Sequence, residues 1–390
     1  MRHLAKISIA VAAITICAGM LWVALFYMDT LRGLSWAIKK PPQDNAGRVP
    51  VFTETAPQGD EGGFEPVVVA ENLSIPWDIA FLPEGGMLVT ERSGRLMLFA
   101  GETDSAITIP GVAHAGEGGL LGIALHPDFS KNSFVYLYFT ASSEAGVVNR
   151  VMRYEFRDGE LLEGRAIIDD IPGAQYHDGG RIRFGPDKLL YITTGDAGNP
   201  QNAQNTDSLA GKILRVHDDG SIPSDNPFGN AVWSYGHRNP QGLTRDDAGR
   251  LWSTEHGRSG LASGFDELNL IEKGKNYGWS QSQGDSVAEG TIGPVLHSGA
   301  STTWAPASAL YWDGSIFFAG LAGEALYEAV LDGEAVIELK EHFAGTYGRL
   351  RTVVLGPDGM FYLTTSNQDG RGSPAPADDR IIRIDPARFR

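Results

Sequence analysis

One cysteine occurs in 390 residues, Cys17, and it lies inside an apolar N-terminal run. The remainder of the chain therefore has no intrachain disulfide, which leaves the compartment open because many exported proteins lack them. Positive charge is the second scarcity. Residues 1–40 take five of the 32 Lys/Arg and one of the 48 Asp/Glu, leaving 27 against 47 and a net charge of −20 on residues 41–390. Such a surface repels phosphate backbones and excludes nucleic acid as a partner. An EF-hand spacing is absent too, so any calcium site would have to be built another way.

The apolar run extends from Ile7 to Tyr27 behind Arg2 and Lys6. Its length matches a bilayer-spanning helix, and it reads as a secretory signal or an uncleaved anchor. No small-x-small cleavage pattern follows it closely, which favours the anchor. Ile16 precedes Cys17 where a bacterial lipoprotein signal wants a small residue, which argues against lipidation. Residues 1–30 are thus expected to form a membrane-spanning segment and residues 31–63 a flexible linker, its second half rich in Pro, Gly, Thr and acidic residues.

What the chain has in quantity is glycine, 49 residues, and a repeated phrase. An apolar approach, a Pro/Asp/Gly turn and a β-rich run recur from Ile75, Gly119, Gly179, Asn239, Ser308 and Arg349, with turns at Pro83, Pro127, Pro186, Asp246, Trp312 and Pro357. Each phrase is the signature of a hairpin in a small antiparallel sheet. One such sheet cannot bury both faces, whereas a radial stack can, so residues 64–390 are expected to form an all-β, six-bladed β-propeller of four-stranded antiparallel sheets.

Four polar clusters lie beside these phrases. His177 precedes Gly179-Gly180, and Asp196 closes the same hairpin, where it could hold one imidazole nitrogen and leave the other as a base; a surface histidine with an unrelated turn aspartate is the alternative. Arg238 and Asn239 offer a cationic fork beside an amide, suited to a carbonyl- or carboxylate-bearing ligand, or else an inter-blade salt bridge. Glu255 to Trp279 mixes carboxylates with glycine-rich backbone, which suits a hard cation or simply solvated loops. Arg349 and Arg351 share one face of a strand, so they either hold an anion together or face water.

In this order the clusters resemble the soluble quinoprotein glucose dehydrogenases, the glucose/sorbosone dehydrogenase family, and especially its aldose sugar dehydrogenase branch. The strongest pieces are GLLGIALHPDF from Gly119, the His177 motif with Gly195-Asp196, GHRNPQGL from Gly236, DELN…KNYGW from Asp266 to Trp279, and RLR at Arg349. The resemblance implies a six-bladed propeller that uses pyrroloquinoline quinone (PQQ) and Ca²⁺ to oxidise the anomeric carbon of an aldose to a lactone by hydride transfer to the quinone. It implies His177 as general base, Asp196 as the carboxylate orienting it, and Arg238 and Asn239 at the quinone oxygens. Arg349 and Arg351 would grip cofactor carboxylates, and Thr303 would contact the cofactor. The main-chain carbonyls of Gly257 and Arg258 would bind one calcium, and Glu267 with the Tyr277 carbonyl a second.

Two departures stand out: no lysine lies near Leu321-Ala322-Gly323, where the family's glucose dehydrogenase has one, and Glu117 replaces a glutamine at the cofactor edge. A partner such as Arg181 could neutralise Glu117. The family's habit of working outside the cytoplasm implies an inner-membrane anchor with the propeller facing the periplasm, or export if the segment is cleaved. Electrons would pass to a quinone or another respiratory-chain acceptor. The alternative is a non-catalytic propeller that binds carbohydrate or protein.

Overall fold

A computed structural model describes residues 51–52, 65–101, 104–144, 146–260 and 263–390. The anchor expected at residues 1–30 lies outside the described residues, and among those described no helix is long and apolar enough to cross a membrane.

Six antiparallel sheets account for nearly all the regular structure, five of four strands and one of five. Each repeated phrase of the sequence is the first hairpin of one sheet. In blade 1, for example, Pro76–Phe81 turns at Pro83 into Met87–Glu91. The first strands of the blades are Pro76–Phe81, Leu120–Leu125, Ile182–Phe184, Pro240–Arg245, Pro306–Trp312 and Leu350–Leu355. They neighbour one another around the ring, except that the first strand of blade 4 meets the second of blade 3, Leu190–Thr194, and the ring closes with the sixth beside the first. Blade 6 carries the seam: Val67–Glu71 from the start of the domain pairs antiparallel with Ile381–Ile384 from its end, with Val68 opposite Ile382.

Strand alternation sends side chains to both faces of every sheet, so apolar residues must meet the next blade on each side. Six buried clusters result, one at each interface. Ile213 and Leu243 meet between blades 3 and 4, Ile316 and Leu268 between blades 4 and 5, and Met97 and Ile381 between blades 1 and 6. Hydroxyls stitch neighbouring blades near the axis: Thr254 Oγ1 on the second strand of blade 4 donates to the Ala307 carbonyl at 2.9 Å, and Thr352 Oγ1 on the innermost strand of blade 6 to that of Trp77 at 2.6 Å.

A buried carboxylate ties three blades together. Asp78 meets Arg181 Nη1 at 2.6 Å and Arg183 Nη1 and Nη2 at 2.8 and 2.9 Å, and it accepts the Ile123 N–H at 3.2 Å. Arg181 is wholly buried with its guanidinium 4.2 Å from the centre of the Trp77 ring. This contact corrects one expectation: Arg181 is spent on Asp78 and is not the partner of Glu117.

Burial alone would raise the Asp78 pKa, but the two arginines outweigh it and hold the carboxyl below its ordinary 3.8. Its folded pKa therefore lies below its unfolded one. The stabilisation is complete above that ordinary value and is lost as pH falls through the folded one. Asp78→Ala, which strands two cations, should cost about 3–5 kcal/mol in urea unfolding. Asp78→Asn should lack the part of the acid-induced loss that Asp78 supplies; an unaltered acid limb would show that this carboxylate is not a blade tie.

Candidate active site

The ring places every candidate residue at one end. Glu117, His177, Arg238, Asn239, Thr303 and Arg349 directly precede or lie just before the innermost strands, while Asp196, Gly257 and Arg258 follow the second strands, which return antiparallel to the same end. Residues scattered over more than 230 positions thus share one axial mouth.

His177 adopts a left-handed backbone, φ 63°, uncommon for a residue with a Cβ. Its Nδ1 lies 2.7 Å from Asp196 Oδ1. Asp196 is fully buried, and its remaining capacity is used: Oδ1 also accepts the Gly198 N–H at 2.8 Å, and Oδ2 accepts Trp279 Nε1–H at 2.8 Å. A carboxylate held this way keeps the proton on Nδ1 and leaves Nε2 as the basic nitrogen. Gly195 is required beside it, because a Cβ there would collide with the His177 carbonyl.

The loop that follows Asp196 is held from beneath. Its short helix, Pro200–Gln204, is capped by Asn199, and Asn202 Nδ2 donates to the Asp196 carbonyl at 3.0 Å. The buried Lys212 ammonium donates to the carbonyls of Asn202, Ala203 and Ala210 at 2.7, 3.1 and 2.6 Å. Burial draws the Lys212 pKa down to about 7.

Around the base stands a set of buried cations. Arg238 lies with its guanidinium 5.3 Å from the centre of the Trp279 ring and donates to Ser259 Oγ at 2.7 Å, while its Nε is buried with no partner. Asn239 accepts the Gly179 N–H at 3.0 Å, and its Nδ2 is likewise buried and unpaired. Arg349 makes a forked pair with Asp369 Oδ2 at 3.0 and 2.9 Å and donates Nη1–H to the Leu321 carbonyl at 2.9 Å. Arg351 reaches Gln241 Oε1 at 3.2 Å; burial, with Arg92 and Arg349 adding to it, brings its pKa to about 9. Both arginines of the RLR are buried, so they do not face water. Arg92, which stands in none of the four polar clusters of the sequence, donates to the Gly116 carbonyl and also carries a buried, unpaired Nε.

Glu117 meets Arg371 Nη1 at 2.9 Å and accepts the His177 N–H at 3.1 Å. Burial opposes its ionisation, but Arg371, His177 and His256 outweigh that cost and keep the carboxyl well below the usual carboxylate range.

The carboxylate-rich segment divides into two tasks. Asp266 is a latch: Oδ1 accepts the Gly257 N–H at 2.8 Å, and Oδ2 accepts Thr303 Oγ1–H at 2.8 Å and the N–H groups of Trp304 and Ala305 at 2.6 and 2.8 Å. Thr303 is thereby committed through its hydroxyl to Asp266. Glu267 lies opposite Glu255 in adjacent strands, and burial beside Glu255 and Asp266 pushes its pKa up to about 8. Glu255 is held by His237 Nδ1 at 2.8 Å, and that imidazole stacks on Tyr277 with ring centres 4.7 Å apart. The Arg258 carbonyl accepts the Gly264 N–H at 3.3 Å. Among the described residues no three His, Cys, Asp or Glu side chains gather to hold a metal.

Sequence reasoning missed Trp279 and Lys212 as supports and Arg371 and Asp369 as partners. Trp279 stood in a recognised motif, but nothing local pointed it at Asp196. Arg371 follows a turn whose composition carries no chemical signature.

Known proteins share this architecture. The family model described as Glucose / Sorbosone dehydrogenase matches residues 73–382. An aldose sugar dehydrogenase of Escherichia coli is 32% identical over 78% of this chain and 90% of its own length. The PQQ-bound aldose sugar dehydrogenase of Streptomyces coelicolor superposes with a TM-score of 0.76 at 40% identity, covering 82% of this chain and 98% of that one. The apo aldose sugar dehydrogenase of E. coli gives 0.74 at 29% identity over 83% and 99%. That enzyme is described as soluble, which overturns the inner-membrane anchoring expected from the apolar run. Hydropathy alone records an apolar run and does not tell a retained anchor from a cleaved leader. With the family model covering more than half of its length, the chain belongs to the glucose/sorbosone dehydrogenase family.

Proposed function

We propose that this chain is a PQQ-dependent sugar dehydrogenase, an oxidoreductase that converts an aldose to its lactone at the anomeric carbon. The observation that carries the reading is the convergence of a carboxylate-held histidine with buried donors that lack partners. The unpaired Arg238 Nε, Asn239 Nδ2 and Arg92 Nε, together with Arg349 and Arg351, make a donor set for a planar, oxygen-rich anion. A tricarboxylated quinone has that chemistry, so the residues fit the cofactor. The catalytic unit takes residues 64–390.

In this reading His177 takes the proton of the anomeric hydroxyl on Nε2, while Asp196 keeps the tautomer fixed and balances the imidazolium. Trp279 and the Gly198 N–H hold Asp196 still, so the base is set before substrate arrives. Arg238 and Asn239 hold the cofactor's quinone edge, Arg349 and Arg351 its carboxylates, and Thr303 and Glu117 border it. PQQ, when bound, supplies the acceptor for the hydride leaving the sugar, and its electrons then pass to a quinone or other respiratory-chain acceptor.

Calcium fits this end of the ring on different grounds. Buried Glu255 and half-buried Glu267 lie opposite each other in adjacent strands, and a divalent cation would relieve the repulsion between them. The proposed ligands are the carbonyls of Gly257 and Arg258 at the cofactor, and Glu267 with the Tyr277 carbonyl at a structural site. A non-catalytic propeller would have no use for a base oriented by a fully committed carboxylate, which favours the enzyme.

Reconstitution with PQQ and Ca²⁺ should give aldose-dependent reduction of an electron-accepting dye; no turnover across a panel of aldoses would sink the proposal. His177→Ala and Asp196→Asn should each lower kcat by about 10²–10⁴-fold with PQQ still bound. Unchanged turnover in His177→Ala would remove it as the base.

A further inference from the structure

A chain of contacts crosses the ring between the candidate base and the candidate cofactor arginine. Glu117 Oε2 accepts the His177 N–H at 3.1 Å, and Oε1 meets Arg371 Nη1 at 2.9 Å. The Arg371 N–H donates to Asp369 Oδ1 at 2.9 Å, and Asp369 Oδ2 takes Arg349 through Nε and Nη2 at 3.0 and 2.9 Å. Glu117 and Arg371 are 254 residues apart, so closure of the ring alone brings them together.

The chemistry of position 117 explains why the pair exists. Two donors approach this side chain, the main-chain N–H of His177 and the guanidinium of Arg371. A carboxylate has an oxygen for each, whereas an amide has a single oxygen and would leave one donor short. The N–H concerned belongs to a residue in the left-handed region, so the bond helps fix a backbone that a histidine does not ordinarily adopt. A carboxylate here, however, stands beside a site built for an anion. The Arg371 side chain is 40% exposed, and an ion pair that open to solvent contributes little to folding. Its consequence is local: it cancels the negative charge that Glu117 brings to the His177 backbone.

We propose that Arg371 is a positioning residue, acting through Glu117 to keep a carboxylate beside His177 compatible with an anionic cofactor. The inference rests on the function proposed above. It assigns Arg371 no contact with the sugar.

The test is PQQ binding to the apoprotein, followed by fluorescence quenching, in the full chain carrying Arg371→Met, Glu117→Gln or both, with urea unfolding of each apoprotein alongside. Arg371→Met should weaken PQQ binding by about tenfold or more while shifting the urea midpoint little, because it uncovers a charge without opening the core. Adding Glu117→Gln should bring affinity back to within about threefold of the unaltered protein, a coupling that independent residues would not show. Arg371→Lys, which keeps the charge and loses the fork, should lie between. If the double variant binds PQQ no better than Arg371→Met, Arg371 does not act through Glu117 and the proposal falls. It falls equally if Arg371→Met unfolds at much lower urea and Glu117→Gln does not restore binding, since the arginine is then a structural tie. If the unaltered protein binds no PQQ, the proposed function falls and this inference with it; binding by the unaltered protein without rescue sinks this inference alone.

Discussion

The pairing of Val67–Glu71 with Ile381–Ile384 is the constraint on which the rest depends. A stack of six sheets can bury both faces of every blade only if the first and last also meet. Closing the seam with a strand from the start of the domain makes the ring one cooperative object. It also sets blade 6 beside blade 1, so that Arg349, Arg351, Asp369 and Arg371 can reach residues from the first third of the chain. The Thr352 hydroxyl on the Trp77 carbonyl is the same closure seen at the axis.

From that closure the site follows as a matter of direction. The first two strands of each blade form a hairpin, and the strand starts and returns of all six meet at one mouth. Residues there come from six blades and share no local structure, which is why each needs support from its own neighbours. Asp196 holds His177 and is itself held by Trp279 from blade 4. Asp266 ties Gly257 to Thr303, Trp304 and Ala305. What remains unpaired after this internal satisfaction is informative. Buried polar atoms ordinarily find partners, so the orphaned nitrogens of Arg92, Arg238 and Asn239 mark where a ligand's oxygens would be expected.

Much of this was legible in the sequence because it was local. The hairpin phrases announce themselves through turn residues and alternation, and all six became the inner hairpins of blades. The histidine and its aspartate, at the two ends of one hairpin, meet as their spacing predicts. What stayed hidden was contact between blades. Arg181, expected as a partner for Glu117, is ion-paired with Asp78 of another blade instead. Arg371, the actual partner, follows an unremarkable turn near the other end of the chain. Near Leu321, where the lysine is lacking, Arg349 Nη1 donates to the Leu321 carbonyl. Asp266, which the sequence showed only as the start of a recognised motif, is spent on main-chain N–H groups and one hydroxyl. The location of the protein failed for another reason, since an apolar run records hydropathy and not its fate.

The buried arginines at the axial mouth, with the unpaired nitrogens of Arg92, Arg238 and Asn239, are complementary to an anionic quinone. Calorimetric titration of PQQ into the calcium-loaded apoprotein over a range of salt concentrations tests it most directly. Binding of one PQQ per chain, weakening as ionic strength rises, is the predicted result. Absence of binding, or binding indifferent to salt, would contradict it.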